Sequence, residues 1–301
     1  MATMNQMSYS EPILPLELER IIFESCATSL PVFIPQLMLV AYRVKEWVEP
    51  ILYCVICIGL DSPVPSFPHL KPEAISFIMN KKSPDFLRNT VRHFMVENDL
   101  GATGKQLLEL CPTVQSLSIP FEGEEWDPII VILPLRRLDV DFRQFLRLPP
   151  TCAAFSCLTH LFLNGSPPNE KAACMALMAL PKLTHLSLNC TRLFVLTNSH
   201  RILHSLPSLC VLVIFGSGVW HWRKVLQLPT RDLRFVMIIP APDFTQDWHS
   251  GAGGGTDYWS TAGNFVAKRR AGEIDPLTYV CDAYKESEYS NLAELNLQRL
   301  G

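Results

Sequence analysis

The sequence predicts an α/β repeat: a stack of strand, turn and helix units, preceded by a short helical segment and closed by a covering helix. Three observations predict it. Seven segments, VRHFMV, VQSLSI, LRRLDV, LTHLFL, LTHLSL, LCVLVI and LRFVMI, begin at Val91, Val114, Leu135, Leu158, Leu183, Leu209 and Leu233, with 21 to 26 residues between successive starts. Each is apolar at its first, fourth and sixth place. Between them lie helix-like stretches such as GKQLLELCP, EKAACMALMALP and SHRILHSLP, and Pro112, Pro134, Pro181, Pro207 and Pro229 recur shortly before the next segment. Proline lacks an N–H and clashes with the preceding turn, so a recurrent proline is a recurrent helix stop. Third, helical apolar spacing precedes the array, and a unit that cannot bury its apolar face alone must stack on neighbours.

The first element is a helix opened by Pro15, with Leu14, Leu18, Ile21, Ile22 and Ser25 spaced for one face. A second starts near Gln36, with Leu37, Val40, Ala41, Val44, Trp47 and Val48 on one stripe, and Glu49-Pro50 is expected to end it. At the other end, Gly251-Ala252-Gly253-Gly254-Gly255 reads as a flexible linker, followed by Asp257-Tyr258-Trp259 through Phe265 to Lys268-Arg269-Arg270 as the covering helix. The expected segments are a flexible N-terminus at 1–12, helices at 13–58, repeats at 59–245, and linker, covering helix and tail at 246–301. A doubly wound α/β domain also alternates strand and helix, and is the competing architecture.

The template L-x-x-L-x-L, from about Val91 to Ile239, resembles the leucine-rich repeat, with Ser166, Thr191 and Ser217 where that repeat usually carries Asn. Upstream, L-P-x-E-L-x-x-x-I followed by L-V-x-x-R-x-x-x-W resembles an F-box, stretched between Leu-Pro and Trp; Leu14, Pro15, Glu17, Leu18, Ile21, Ile22, Val40, Arg43 and Trp47 match its positions. The whole chain thus resembles the F-box and leucine-rich-repeat proteins of mushroom-forming fungi. The resemblance implies F-box-like helices, a leucine-rich-repeat solenoid and a C-terminal helical cap. It also implies a substrate-recognition subunit of an SCF-type ubiquitin ligase: Leu14, Pro15, Glu17, Leu18, Ile21, Ile22, Val40 and Trp47 would bind the Skp adaptor, and the repeats would select a protein substrate. Two readings compete with it: helices that only cap the array, and an interaction scaffold with no ligase association.

Strand alternation places the residues flanking the template's core positions on an open face. Its middle, Arg137, Asp139, Asp141, His160, Phe162, Asn164, His185, Ser187 and Asn189, mixes charge, imidazole, amide and one aromatic, and is the candidate partner-binding face. Towards the end the same face turns apolar, with Val211, Val213, Phe215, Phe235, Met237 and Ile239, which requires a cover or a partner.

Composition excludes several classes. A net charge of -3 gives no basic field for nucleic acid or anionic lipid, and no apolar run is long enough to span a bilayer. The ten cysteines sit singly in apolar segments, apart from Cys54-x-x-Cys57, which lacks a second ligand pair; reduced cysteines in the cytoplasm or nucleus are expected. His160 and His185 recur in identical LTHL contexts, but two ligands do not make a metal site. Gly101 to Lys105 departs from the phosphate-loop spacing, and the acidic cluster Glu122, Glu124, Glu125 and Asp127 reads as a solvated loop. His185 and Cys190 carry no nucleophile elbow, so no catalytic residue, cofactor or metal is expected.

Overall fold

The computed structural model describes residues 14–59, 72–98, 102–189, 192–215, 232–239 and 242–282. The described residues divide into two compact units, one of residues 14–54 and one of those from 55 to 282.

In the first unit, α1 spans Leu16–Ser29 behind Pro15, whose φ of -54° and missing N–H suit a helix entry. A 3₁₀ turn at Pro31–Phe33 and the single turn α2, Ile34–Leu37, lead to α3, Tyr42–Cys54. Ala27, Ile34, Val44 and Val48 form the core, with Phe23, Leu37 and Trp47 packed against it. Arg43 of α3 holds Glu19 of α1 through Nε at 3.1 Å and Nη2 at 2.8 Å. The second helix differs from expectation at both ends. The chain turns at Met38–Val40 and α3 begins only at Tyr42; it then runs through Pro50 to Cys54. A proline deletes one backbone hydrogen bond, and the buried Val48 and Tyr53 on either side show packing outweighing that loss.

The second unit is one nine-stranded, all-parallel sheet whose strands are ordered as in the sequence. They are β1 Val55–Ile58, β2 His93–Val96, β3 Ser116–Ile119, β4 Arg137–Asp141, β5 His160–Asn164, β6 His185–Asn189, β7 Val211–Phe215, β8 Phe235–Ile239 and β9 Val280–Asp282. One face meets the connecting helices: α4 Pro72–Lys81, α5 Pro84–Thr90, α6 Ala102–Glu109, α7 Asp127–Ile130, α8 Phe142–Arg147, α9 Ala153–Ser156, α10 Glu170–Met178 and α11 Arg192–Ser205. Parallel pairing aligns Leu117, Leu138, Leu161, Leu186 and Leu212 in one fully buried row. Rings such as Phe142 and Phe194, 5.4 Å apart edge to face, fill the helix layer. The other face is covered by α12, Phe244–Ala252, and α13, Tyr258–Ala271.

This arrangement corrects the expected fold class. In place of F-box-like helices, a leucine-rich-repeat solenoid with an open face and a helical cap, the chain forms a single parallel α/β sheet with helices on both faces. The sheet draws on three of the four expected segments: β1 comes from the helical stretch, where Val55-Ile56-Cys57-Ile58 pairs with β2, and β9 from the tail, where it pairs with β8. Buried β-branched residues compete for sheet edges wherever they occur. The L-x-x-L-x-L period locates strands, yet any parallel sheet with helical crossovers needs the same alternation.

A second correction concerns β8. Template alignment puts Phe235, Met237 and Ile239 beside Val211, Val213 and Phe215, but Leu212 pairs with Phe235 and Val213 with Val236. This one-residue slip exchanges the faces. Val236 and Ile238 pack under α13, while Met237 and Ile239 pack with Tyr279 and Val280. All five β8 residues are apolar, so alternation leaves the face undecided. Neighbouring polar contacts fix the strand: Arg234 donates to Leu203 and Leu206 carbonyls at the end of α11, and Arg269 of α13 donates to the Phe235 carbonyl at 2.8 Å. The glycine-rich stretch is also a tight turn in the structure. Gly253, Gly254 and Gly255 donate back to His249, Gly251 and Ser250 carbonyls, and Gly254 takes φ +82°.

Candidate functional site

The covered face of the sheet carries the chemistry. Pairing from β2 to β6 sets His93, Ser116, Arg137, His160 and His185 in one row and Met95, Ser118, Asp139, Phe162 and Ser187 in the next. Helix α12 starts at Asp243, whose side chain accepts from the Thr245 and Gln246 N–H groups, and α13 starts at Asp257, paired with Ser260 in a capping box. The caps aim both helix starts at the polar rows. Trp248 of α12 packs on Cys57 and Met95, and Tyr258, Trp259, Ala262 and Val266 of α13 pack on Phe162, Val211, Val213, Val236 and Ile238.

At the centre Arg137 donates through Nη1 to Asp257 Oδ2 at 2.9 Å, and its Nε lies 4.0 Å from Asp139 Oδ1. Asp247 accepts from the Tyr258 N–H at 2.9 Å and joins α12 to α13. Gly251 closes the cluster: a Cβ there would collide with Asp257 Oδ2 and sit 3.0 Å from Arg137 Nη1. Asp257 and Asp139 therefore share one guanidinium, whose charge also reaches Asp247. Burial pushes the Asp139 carboxyl up to about 6, with Arg137 opposing and Asp257 adding. Burial likewise pushes Asp247 to about 7, where the Tyr258 N–H and Arg137 oppose and Asp257 and Asp139 add. Several buried polar atoms here make no hydrogen bond, among them Asp139 Oδ1, Asp247 Oδ2, Ser187 Oγ and Trp248 Nε1. Such atoms are scarce in folded proteins, and their concentration marks a functional site.

The imidazoles are neutral. His160 and His185 stack with centroids 4.1 Å apart and planes 6° from parallel, and Trp259 meets both edge-on. Each Nδ1 is 2.9 Å from a threonine hydroxyl, Thr159 and Thr184 respectively. Burial lowers His160 to about 3, helped by His185 and Arg137, and lowers His185 as well. No group of three His, Cys, Asp or Glu side chains among the described residues is placed to hold a metal ion.

The expected partner face is thus divided. Arg137, Asp139, His160, Phe162, His185 and Ser187 lie under α12 and α13, so they are not an open surface. Asp141, Asn164 and Asn189 are at the strand ends: Asp141 caps α8, and Asn189 donates to Asn164 Oδ1 at 3.0 Å. Cys190 and Thr191 fall outside the described residues, as do Gly101 and Ser217. A cavity of about 390 Å³ opens beside this edge, between β2–β6 and the start of α12. Of its lining, Phe244, Thr245 and Trp248 were not apparent as site residues, although Pro242-Asp243 followed by Phe244 and Trp248 four residues apart is a helix-start signal.

The adaptor set lies on the first unit. Leu14, Leu18, Ile21, Ile22 and Val40 are 45–61% exposed, Pro15 and Glu17 are exposed, and Trp47 turns inward to pack on the core. The apolar stripe of α1 faces outward, and Phe23 and Ala27 of the same helix pack in the core. Leu16, Leu30, Val32, Phe33 and Leu39 are exposed as well. No helix of the described residues is long and apolar enough to cross a membrane. Compared with known protein families and with curated proteins, the sequence matches neither a family model nor a curated protein.

Proposed function

We propose that this chain is a non-catalytic recognition protein whose N-terminal helical unit docks a partner protein, with the Skp-type adaptor of SCF ubiquitin ligases as that partner and the sheet unit selecting a protein substrate. The exposed apolar surface of α1 and its following turns carries this reading. Leucine, isoleucine and phenylalanine side chains left about half exposed on one small unit exceed the scattered apolar exposure of ordinary surfaces and mark a contact site. The Leu-Pro-x-Glu-Leu and Arg-x-x-x-Trp spacings supply the choice of adaptor. Ligase action then follows from holding a substrate near the transfer machinery at high effective concentration. Apart from Cys54, the cysteines among the described residues are free thiols, which supports the cytoplasm or nucleus as its compartment.

The test is a pull-down of the full chain with a purified Skp-type adaptor, comparing the natural sequence with Leu18→Ser, Ile21→Ser, Ile22→Ser. These side chains are exposed, so circular dichroism is expected to stay unchanged while adaptor binding is lost. Absence of binding by the natural sequence removes the ligase reading and leaves an interaction scaffold with no ligase association, whose partner contact is in the sheet unit.

A further inference from the structure

We infer that the cavity beside α12 is a binding site for an organic cation, an alkylammonium group of lysine or choline size. Its walls are aromatic: Phe162 from β5, Phe244 and Trp248 from α12, and Tyr258 from α13. These rings meet at angles instead of stacking flat, Phe162 and Phe244 at 5.2 Å and 40°, and Phe162 and Tyr258 at 6.5 Å and 59°. Angled rings present several negative faces to one volume, which is the geometry that attracts ammonium groups. The charged lining is wholly acidic, Glu97, Asp139 and Asp243, with no Lys, Arg or His. At about 390 Å³ the space lies at the small end of ligand pockets.

Two further observations separate this site from a chance acidic cluster. Asp139 is 6% exposed, and its Oδ1 makes no hydrogen bond. Its nearest cation, Arg137 Nε, is 4.0 Å away and belongs to a guanidinium that donates to Asp257 instead. A cation in the cavity supplies the charge that Asp139 lacks among Asp247, Asp257 and Glu97. A hard metal ion requires six or more oxygens, and four of the walls are rings. The inference rests on the cavity and is independent of adaptor docking.

The experiment is calorimetric titration of the full chain with choline and butylammonium, against the neutral isosteres 3,3-dimethylbutanol and butanol. A lysine-containing peptide and its alanine counterpart form a second arm. Ammonium probes are expected to bind at least about tenfold more tightly than their isosteres, and Phe244→Ala and Asp243→Asn, at the accessible edge of the cavity, to weaken them about tenfold. Asp139→Asn is expected to abolish the charge preference; if it does not fold, the two edge variants still decide. Saturation by the small amines makes the ligand a free amine, and saturation by the lysine peptide alone makes it a protein side chain; both support the site. Equal affinity for the isosteres, or no saturation by any ammonium probe or the lysine peptide at roughly 10 mM, overturns it.

Discussion

The two faces of the sheet are built on opposite rules. Facing the connecting helices, the row from Leu117 to Leu212 repeats one residue type on five adjacent strands, and each copy is fully buried. Facing α12 and α13, the adjoining row passes through Ser118, Asp139, Phe162, Ser187 and Val213, with the chemistry changing from each strand to the next. The first face is interchangeable packing that holds strands together. The second is individual, under-satisfied and acidic, and depends on residues more than a hundred positions away, as in the Arg137–Asp257 pair. Stability and specificity are thus divided between two sides of the same backbone.

The sharpest way to break this comparison is Arg137→Ala, which strips the one cation from Asp139 and Asp257. A loss of about 3–5 kcal/mol in urea unfolding is expected, because uncompensated buried charge costs more than lost packing. On the opposite face Leu161→Ala should cost about 2–5 kcal/mol, with the same value at pH 5 and pH 7.5. A cost for Arg137→Ala below that for an average leucine would erase the distinction. Gly251→Ala forces a Cβ against Asp257 and Arg137, and about 1–3 kcal/mol is expected from thermal unfolding.

The pH dependence sharpens the contrast further. His93, His160 and His249 are lowered to about 4, 3 and 4, chiefly by burial, so the folded state binds fewer protons than the unfolded state below about 6.5, and stability falls as acid is added. Asp139 and Asp247 are raised to about 6 and 7, so between about 4 and 6 the folded state binds more protons at these two groups, and their cost grows as pH rises. The three imidazoles outweigh the two carboxyls, and stability is expected to climb from pH 4 towards 6.5. Asp139→Asn removes one opposing group and should steepen that climb by about 1.4 kcal/mol per pH unit. The smallest effect belongs to Ile21→Ser on α1, expected within about 0.5 kcal/mol of the natural sequence because the side chain is already 57% exposed.

Strand positions were legible because parallel strands buried on one face demand apolar residues at period two, and LTHLFL and LTHLSL state that period directly. The architecture was not, because a periodic unit specifies its neighbour and leaves open what covers the far face. Val55–Ile58 fell inside the expected helical segment although its β-branched run is strand-like, and it pairs with β2, while the slip in β8 was invisible in a strand of five apolar residues. The site was half legible. Arg137, Asp139, His160 and Phe162 stood out as polar or aromatic positions on one face, whereas Asp247, Trp248 and Phe244 entered through a helix whose glycine-rich end reads as a flexible linker. The stripe of α1 was read as adaptor-binding through the F-box resemblance alone, because amphipathic spacing does not say whether an apolar face meets its own core or a partner.

The lateness of α12 and α13 in the chain has a consequence for biosynthesis. At about 5–20 residues per second, Ala271 leaves the ribosome on the order of ten seconds after Phe162. Until α13 emerges, the residues it packs on, Phe162, Val211, Val213 and Val236, lack their cover and are open to chaperones or to other nascent chains as each is made. A message truncated before residue 258 would therefore yield a product whose leucine rows are complete but whose uncovered side is a surface for aggregation.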